Sequence, residues 1–171
     1  PGASGLSRMA DLSEFERARL VEELTSLEAE NDIIVVDTGA GIGPDVLQLA
    51  ANADTSMIVT TPEPTAITDA YAMVKVLDKR GAVGQLALLV NQASARHEAR
   101  SVYERISDVA RRVLGVRLLD GGYVLADAKV RQAVISRQPL VLAHPRSVSA
   151  KCLAAVANKL SRRGTLVQKN E

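Results

Sequence analysis

The chain has 171 residues, a formal net charge of +1 and a hydrophobic share of 47%, enough for the core of one domain. Only 2% of residues are aromatic, which argues against a base-stacking platform for single-stranded nucleic acid, and the small net charge supplies no global field for nucleic acid or anionic lipid. The single cysteine, Cys152, excludes an intramolecular disulfide and a thiolate-rich metal site; no apolar run reaches the roughly 20 residues of a membrane span, and no signal-peptide pattern opens the chain.

Ser13 and Glu16 form a capping-box pattern, and Phe15, Leu20, Leu24 and Leu27 recur at helical spacing, so residues 13–28 are expected to form an amphipathic helix that covers a sheet. Next comes Ile33-Ile34-Val35-Val36-Asp37-Thr38-Gly39-Ala40-Gly41. A β-branched run without polar residues reads as a strand buried on both faces of a parallel sheet, and ligands bind beyond the carboxyl ends of such strands. An aspartate there can hold a magnesium shell, while glycines let backbone N–H groups approach a terminal phosphate. A strand followed by an ordinary turn is the alternative. The G-x-x-x-x-G-K-[ST] loop that would complete a phosphate site occurs nowhere in the 171 residues.

A helix beginning near Pro44 and a strand over residues 56–60 follow, and then Thr61-Pro62-Glu63-Pro64, a stiff connection that cannot pair as a central strand. Thr65 is expected to cap a helix through Val76, and residues 86–90 form a buried strand ending in Asn91. Val102, Ile106, Val109 and Val113 mark one stripe of the following helix, and a strand over residues 116–119 comes after it. Asp127 is placed to cap a short helix carrying Val130 and Val134, ended by Gln138-Pro139. Val148, Cys152, Val156 and Leu160 repeat on a last helix from a Ser147 cap, closed at Arg162-Arg163-Gly164. This alternation predicts a single α/β domain over residues 1–171 with a mostly parallel sheet and helices on both faces. Asp37, Thr60-Thr61 and Asn91 would line one polar edge.

The motif DTGAG at residues 37–41, followed by VTTPEPTAITDAYAMVKVL, resembles the MinD/ParA group of deviant Walker A ATPases, most closely its flagellar-placement branch of FlhG/FleN type. The likeness runs from about residue 1 to residue 138, is strongest over residues 32–77, and includes Asn91 and Asp127-Ala128-Lys129-Val130. It implies a P-loop NTPase-like fold of SIMIBI type whose N-terminal strands and lysine-bearing phosphate loop are missing here, Pro1-Gly2-Ala3-Ser4-Gly5 falling after them. It also implies ATP and Mg2+ as cofactors and ATP-dependent homodimerisation. A protein partner that stimulates or reads the ATPase is part of the same expectation, as is a cytoplasmic location that can be peripheral to the inner membrane.

On that resemblance Asp37 binds magnesium through water, Gly41 contacts the γ-phosphate as part of the second switch, and Gly39 is a further cofactor-binding residue. Asn91 recognises adenine, for which a donating and accepting amide is suited, and Asp127 borders the base. Leu125 and Ala128 stand where relatives often carry proline. From the residues alone, Asn91 can equally satisfy local backbone groups and Asp127 can simply cap its helix. The Glu63-Pro64 pair resembles the family's dimer face, or is a rigid connector. Because the phosphate-loop strand neighbours the strand ending at Asp37 in relatives, its absence predicts unpaired backbone, a gap to be closed by this chain, by another chain or by a longer protein.

Other readings are weaker. Arg96, His97, Arg100, Arg105, Arg111 and Arg112 could face DNA, but Glu98, Glu104 and Asp108 interleave them and favour an ion-paired surface. The terminal helix has cations suited to a membrane surface, yet its small alanines and lack of aromatic anchors favour packing on the sheet. His97 and His144 are isolated and receive no role. A nucleotide-independent interaction module is the alternative function, and a phosphoacceptor domain using Asp37 is disfavoured because no lysine stands beside Asn91.

Overall fold

The structure, a computed structural model, describes residues 13–82 and 84–167. It contains one parallel sheet of β1 (Thr55–Thr60), β2 (Gln85–Ala93) and β3 (Leu119–Leu125), arranged in that order. Around it lie α1 (Glu14–Ser26), α2 (Pro44–Asn52), α3 (Pro64–Lys79), α4 (Arg96–Val109), α5 (Ala128–Ile135), α6 (Leu140–Ala143) and α7 (Val148–Val167). Parallel neighbours need a crossover between them, and α3 and α4 supply it.

Alternation along the strands sorts the core into two layers. Leu86, Leu88 and Val90 of β2 and Ile58 of β1 pack with Val74 and Leu77 of α3 and with Val102 and Ile106 of α4. On the opposite face Leu89 and Val124 pack with Val156 of α7, joined by Met57, Cys152 and Leu160. The expected α/β sheet with helices on both faces is therefore observed. Leu88 and Val74 are completely buried, so the centre of the sheet carries much of the hydrophobic stabilisation. Gly84 permits a close crossing: a Cβ there would run into the Ala53 carbonyl, while Gln85 N–H donates to Asp54 O at 2.8 Å.

Several local expectations are corrected. Residues 33–37 are not a strand; Val35 is 84% exposed and pairs with no strand among the described residues. The physical reason is the absence of a neighbour. β1 pairs only with β2 and its other edge is open, so nothing among the described residues bridges β1 and the segment ending in Asp37. Among the described residues the gap is not closed.

Helix α1 has the expected capping box, with Glu16 N–H donating to Ser13 Oγ and Ser13 N–H donating to the Glu16 carboxylate. It does not cover the sheet: it rests on α2, and Phe15 is exposed. Helix α3 starts at Pro64 with Glu63 as N-cap, so Thr65 lies inside the first turn and caps nothing; proline fits the first helical position because its missing donor is not needed there. Residues Ala110–Leu114 form a π-turn after α4. The added residue rotates the stripe, burying Ala110 and turning Val109 and Val113 outward against the sequence expectation.

β3 begins at Leu119 instead of Val116, because the chain first closes the π-turn through Gly115 in the left-handed conformation and a Val116 N–H bond to Ala110 O. Val130 and Val134 point outward instead of into a core. Helix α7 has its Ser147 cap, with Ala150 N–H donating to Ser147 Oγ, but runs through Gly164 to Val167; one glycine lowers helix propensity without ending a helix. Residues Pro1 to Gly5 lie outside the described residues.

Candidate functional site

All three strands run in the same direction, so their carboxyl ends share one edge. Thr60 and Thr61 close β1, Asn91 stands near the end of β2, and Asp127 follows β3 by two residues. Helix α2 leads into β1 through two residues and packs back on it, with Ser56 Oγ donating to Ala50 O at 2.6 Å. Its first turn, and the glycine segment before it, consequently lie toward that same edge.

The β1 end carries an unsettled polar group. Thr60 Oγ1 donates to Thr61 O at 3.2 Å, whereas the Thr61 hydroxyl is buried with no hydrogen-bond partner. Buried hydroxyls without partners are uncommon and costly, so this one marks a place where a partner fits. The sequence already places Thr61 on the polar edge; its orphaned state is a consequence of burial, which no local motif encodes.

At the end of β2 the ladder breaks. Gln92 adopts a left-handed backbone with φ of 57°, and pairing with β3 shifts register between Val90 and Ala93. Asn91 Oδ1 accepts the Gln92 N–H at 2.9 Å. Its carbonyl thus satisfies local backbone while no hydrogen bond occupies its side-chain NH2, so part of the amide remains for a ligand. A bulge of this kind re-aims a side chain at a sheet edge.

Asp127 is engaged twice. Its Oδ1 accepts the Lys129 N–H at 2.9 Å, and its Oδ2 accepts the Ser149 N–H at 3.2 Å, so one carboxylate caps α5 and binds the start of α7. These backbone donors, Lys129 first and Ser149 next, hold its pKa below the ordinary carboxylate value. Buried Ser149 closes the arrangement by donating to Leu125 O at 2.7 Å. The capping reading is observed; a ligand could meet Asp127 only in a position set by these bonds. Ser149 escaped the sequence reading because its partner is 22 residues away.

Asp37, Gly39 and Gly41 lie in the exposed segment before α2. Gly41 has φ of +101°, a conformation L-residues rarely adopt, while a Cβ on Gly39 or Gly41 would meet no atom within 4 Å. Glycine is required at 41 by backbone conformation, and open space beside it leaves its N–H approachable. The described residues contain no group of three or more His, Cys, Asp or Glu side chains able to hold a metal, so Asp37 would be a lone protein carboxylate toward a cation. The structure brings Thr61, Asn91 and Asp127 to one edge on paired strands; it leaves Asp37 on an unpaired segment.

Elsewhere the arginine-rich surface of α4 and the π-turn is ion-paired in part: Arg100 with Glu104 at 2.8 Å and Arg111 with Asp108 at 2.9 Å. The Glu98 carboxylate accepts the Ser94 hydroxyl and N–H, which lowers its pKa. No helix among the described residues is long and apolar enough to cross a membrane.

No family model matches the chain. It is similar to the antiactivator FleN of Pseudomonas aeruginosa, with 35% identity over 94% of this chain and 57% of the relative. It is also similar to the flagellum site-determining protein YlxH of Helicobacter pylori, with 32% identity over 94% of this chain and 54% of the relative. Among solved structures, the septum site-determining protein MinD of Pyrococcus horikoshii complexed with Mg-ADP superposes with a TM-score of 0.67 at 19% identity, covering 84% of this chain and 56% of that one. That likeness shows the P-loop NTPase-like fold. The chain spans a little over half the length of the relatives it matches.

Proposed function

Since this chain belongs to the MinD/ParA family of deviant Walker A ATPases, on its flagellar-placement side, we propose that it is part of an ATP-binding ATPase that dimerises with ATP and sets flagellum number or position. The observation that supports this most is the carboxyl edge of the sheet. There an unsatisfied buried Thr61 hydroxyl and a half-committed Asn91 amide stand at the ends of adjacent strands.

These residues suit the nucleoside side of a nucleotide. The Asn91 amide would read adenine, Asp127 would border the base while its carboxylate holds α5 and α7, and Asp37 would hold Mg2+ through water. Gly39 and Gly41 would present backbone to the terminal phosphate. Bound Mg-ATP supplies the phosphoanhydride whose hydrolysis drives such a cycle. The chain itself has no G-x-x-x-x-G-K-[ST] loop, and without that N–H cradle and lysine nothing here offsets the charge developing on the phosphates. In this reading the 171 residues alone do not hydrolyse ATP, and Asp37 reaches its working position only when the open β1 edge is filled. Glu63-Pro64, exposed and rigid at the N-terminus of α3, forms part of the dimer face. A protein partner that reads the ATPase, and peripheral contact with the inner membrane from the cytoplasm, complete the proposal; nucleic acid is not a ligand.

The open β1 edge also favours a second reading, a nucleotide-independent module that binds a partner protein. Titrating the chain with a fluorescent ATP analogue and Mg2+, beside Asn91→Ala and Asp37→Ala, separates the two. Saturable binding weakened by Asn91→Ala supports the nucleotide reading. Absence of binding both here and in a longer chain carrying the phosphate loop would refute it.

A further inference from the structure

Charge is segregated along this chain in a way its net value of +1 conceals. Residues 128–151 carry five cations, Lys129, Arg131, Arg137, Arg146 and Lys151, and no Asp or Glu. Lys129 and Arg131 lie in α5, Arg137 just after it, Arg146 between α6 and α7 and Lys151 in the first turn of α7, and all five are exposed. The same lobe holds aliphatic side chains in solvent: Val134 is 71%, Ile135 72% and Leu142 76% exposed. At the other end, residues 14–32 carry seven acids against two arginines. This is α1 and the turn after it, where Phe15 and Leu27 are exposed.

The two regions hang from opposite sides of the sheet. Helix α1 packs on α2, which packs on β1, whereas α5 and α6 connect through α7 to β3. The molecule is therefore polarised across its strands, acidic beside β1 and basic beyond β3. Each pole combines charge with exposed apolar groups, the pairing that specific interfaces use: apolar contact for burial and complementary charge for register and encounter. Within α1 Arg19 pairs with Glu23 at 3.0 Å, yet acids remain in excess over residues 14–32. The Lys159–Asp120 ion pair joins α7 to β3 and lies in neither pole.

We propose that the basic α5–α6 lobe docks the acidic α1 helix of a second copy of this chain, a head-to-tail contact. Such a contact is heterologous; it forms a ring if the rotation between copies closes and otherwise propagates. An anionic membrane could also attract the lobe, but only a second copy accounts for both poles at once. This contact is independent of the nucleotide reading and is measured without nucleotide.

Sedimentation velocity of the 171-residue chain at about 0.05 M salt should show species larger than the 18.2 kDa monomer that dissociate at about 0.5 M salt, where exposed charges are screened. Two charge-reversed chains test the surfaces: Glu22→Lys with Glu28→Lys and Glu30→Lys, and Arg131→Glu with Arg137→Glu and Arg146→Glu. Each alone should associate roughly tenfold more weakly, and an equimolar mixture should recover association because both interfaces are again complementary. Circular dichroism checks the fold; Ile135→Ser with Leu142→Ser, both exposed, gives a second test that should also weaken association. A monomer at both salts, association indifferent to salt and to reversal, or a mixture that stays monomeric would overturn the proposal. So would capture by phosphatidylglycerol vesicles without self-association.

Discussion

Asp127 and Ser149, 22 residues apart in sequence, are joined by a 3.2 Å hydrogen bond from the Ser149 N–H to Oδ2, while the other carboxylate oxygen caps α5. One side chain thus joins the starts of two helices at the candidate site. Asp127→Ala removes both acceptors and should lower the melting temperature by several degrees, with Asp127→Asn retaining part of the loss because asparagine also caps. A thermal melt checks this; unchanged melting would mean the two bonds contribute nothing net.

Acid stability should follow the same carboxylates. Asp127 is held low chiefly by the Lys129 backbone N–H, and Glu98 chiefly by the Ser94 hydroxyl. Groups whose pKa falls on folding stabilise the protein above their unfolded values, and that contribution is lost as pH drops through the folded ones. Urea midpoints should therefore hold steady down to about pH 4.5, the ordinary Glu value, and fall below it. The Glu98→Gln variant should show a shallower decline.

Leu88 lies at the centre of the sheet with no exposed surface. Leu88→Ala should cost about 2–5 kcal/mol in denaturant unfolding, from lost burial and the cavity left behind. Gly84→Ala should also destabilise, because the new methyl meets the rigid Ala53 carbonyl and the loop before β2 must move.

Arg137 adopts φ of 52° just after α5, where Gln138 N–H bonds to Ala133 O in a left-handed helix ending. Glycine takes this conformation without the Cβ penalty, so Arg137→Gly should raise stability by about 0.5–1 kcal/mol, read from the urea midpoint. A loss instead would mean that the arginine side chain contributes more than its backbone strain costs.

The open edge has a direct signature in amide exchange. Residues 33–37 and the outward N–H groups of β1 should exchange rapidly in this chain, since no strand among the described residues pairs them. They should become protected in a longer chain that carries a phosphate-loop strand beside them. Equal exchange in both would refute the idea that the gap is filled.

Much of the architecture was legible because it is written in local patterns. The buried run of β2, the proline start of α2 and the caps at Ser13, Asp127 and Ser147 each follow from residue types a few positions apart. The misreadings share a cause. Residues 33–37 have strand composition, but a strand exists only with a partner, and periodicity does not reveal whether one is present. Val109 and Val113 fit the α4 stripe until the π-turn changed the period. Helix α1 has an apolar side, yet among the described residues it rests on α2 and not on the sheet.

By itself, then, the sequence determined the kinds of elements, their order and the family, because propensity, capping and motif spacing act over short distances. Tertiary structure alone decided which polar groups were left over. The Thr61 hydroxyl is orphaned by packing around it, the Asn91 amide is half-committed by a bulge, and Asp127 is drawn to Ser149 across a full helix turn-back. It also decided that seven acids and five cations far apart in the chain stand at opposite sides of one sheet, since the order of parallel strands, and not the order of residues, sets that distance.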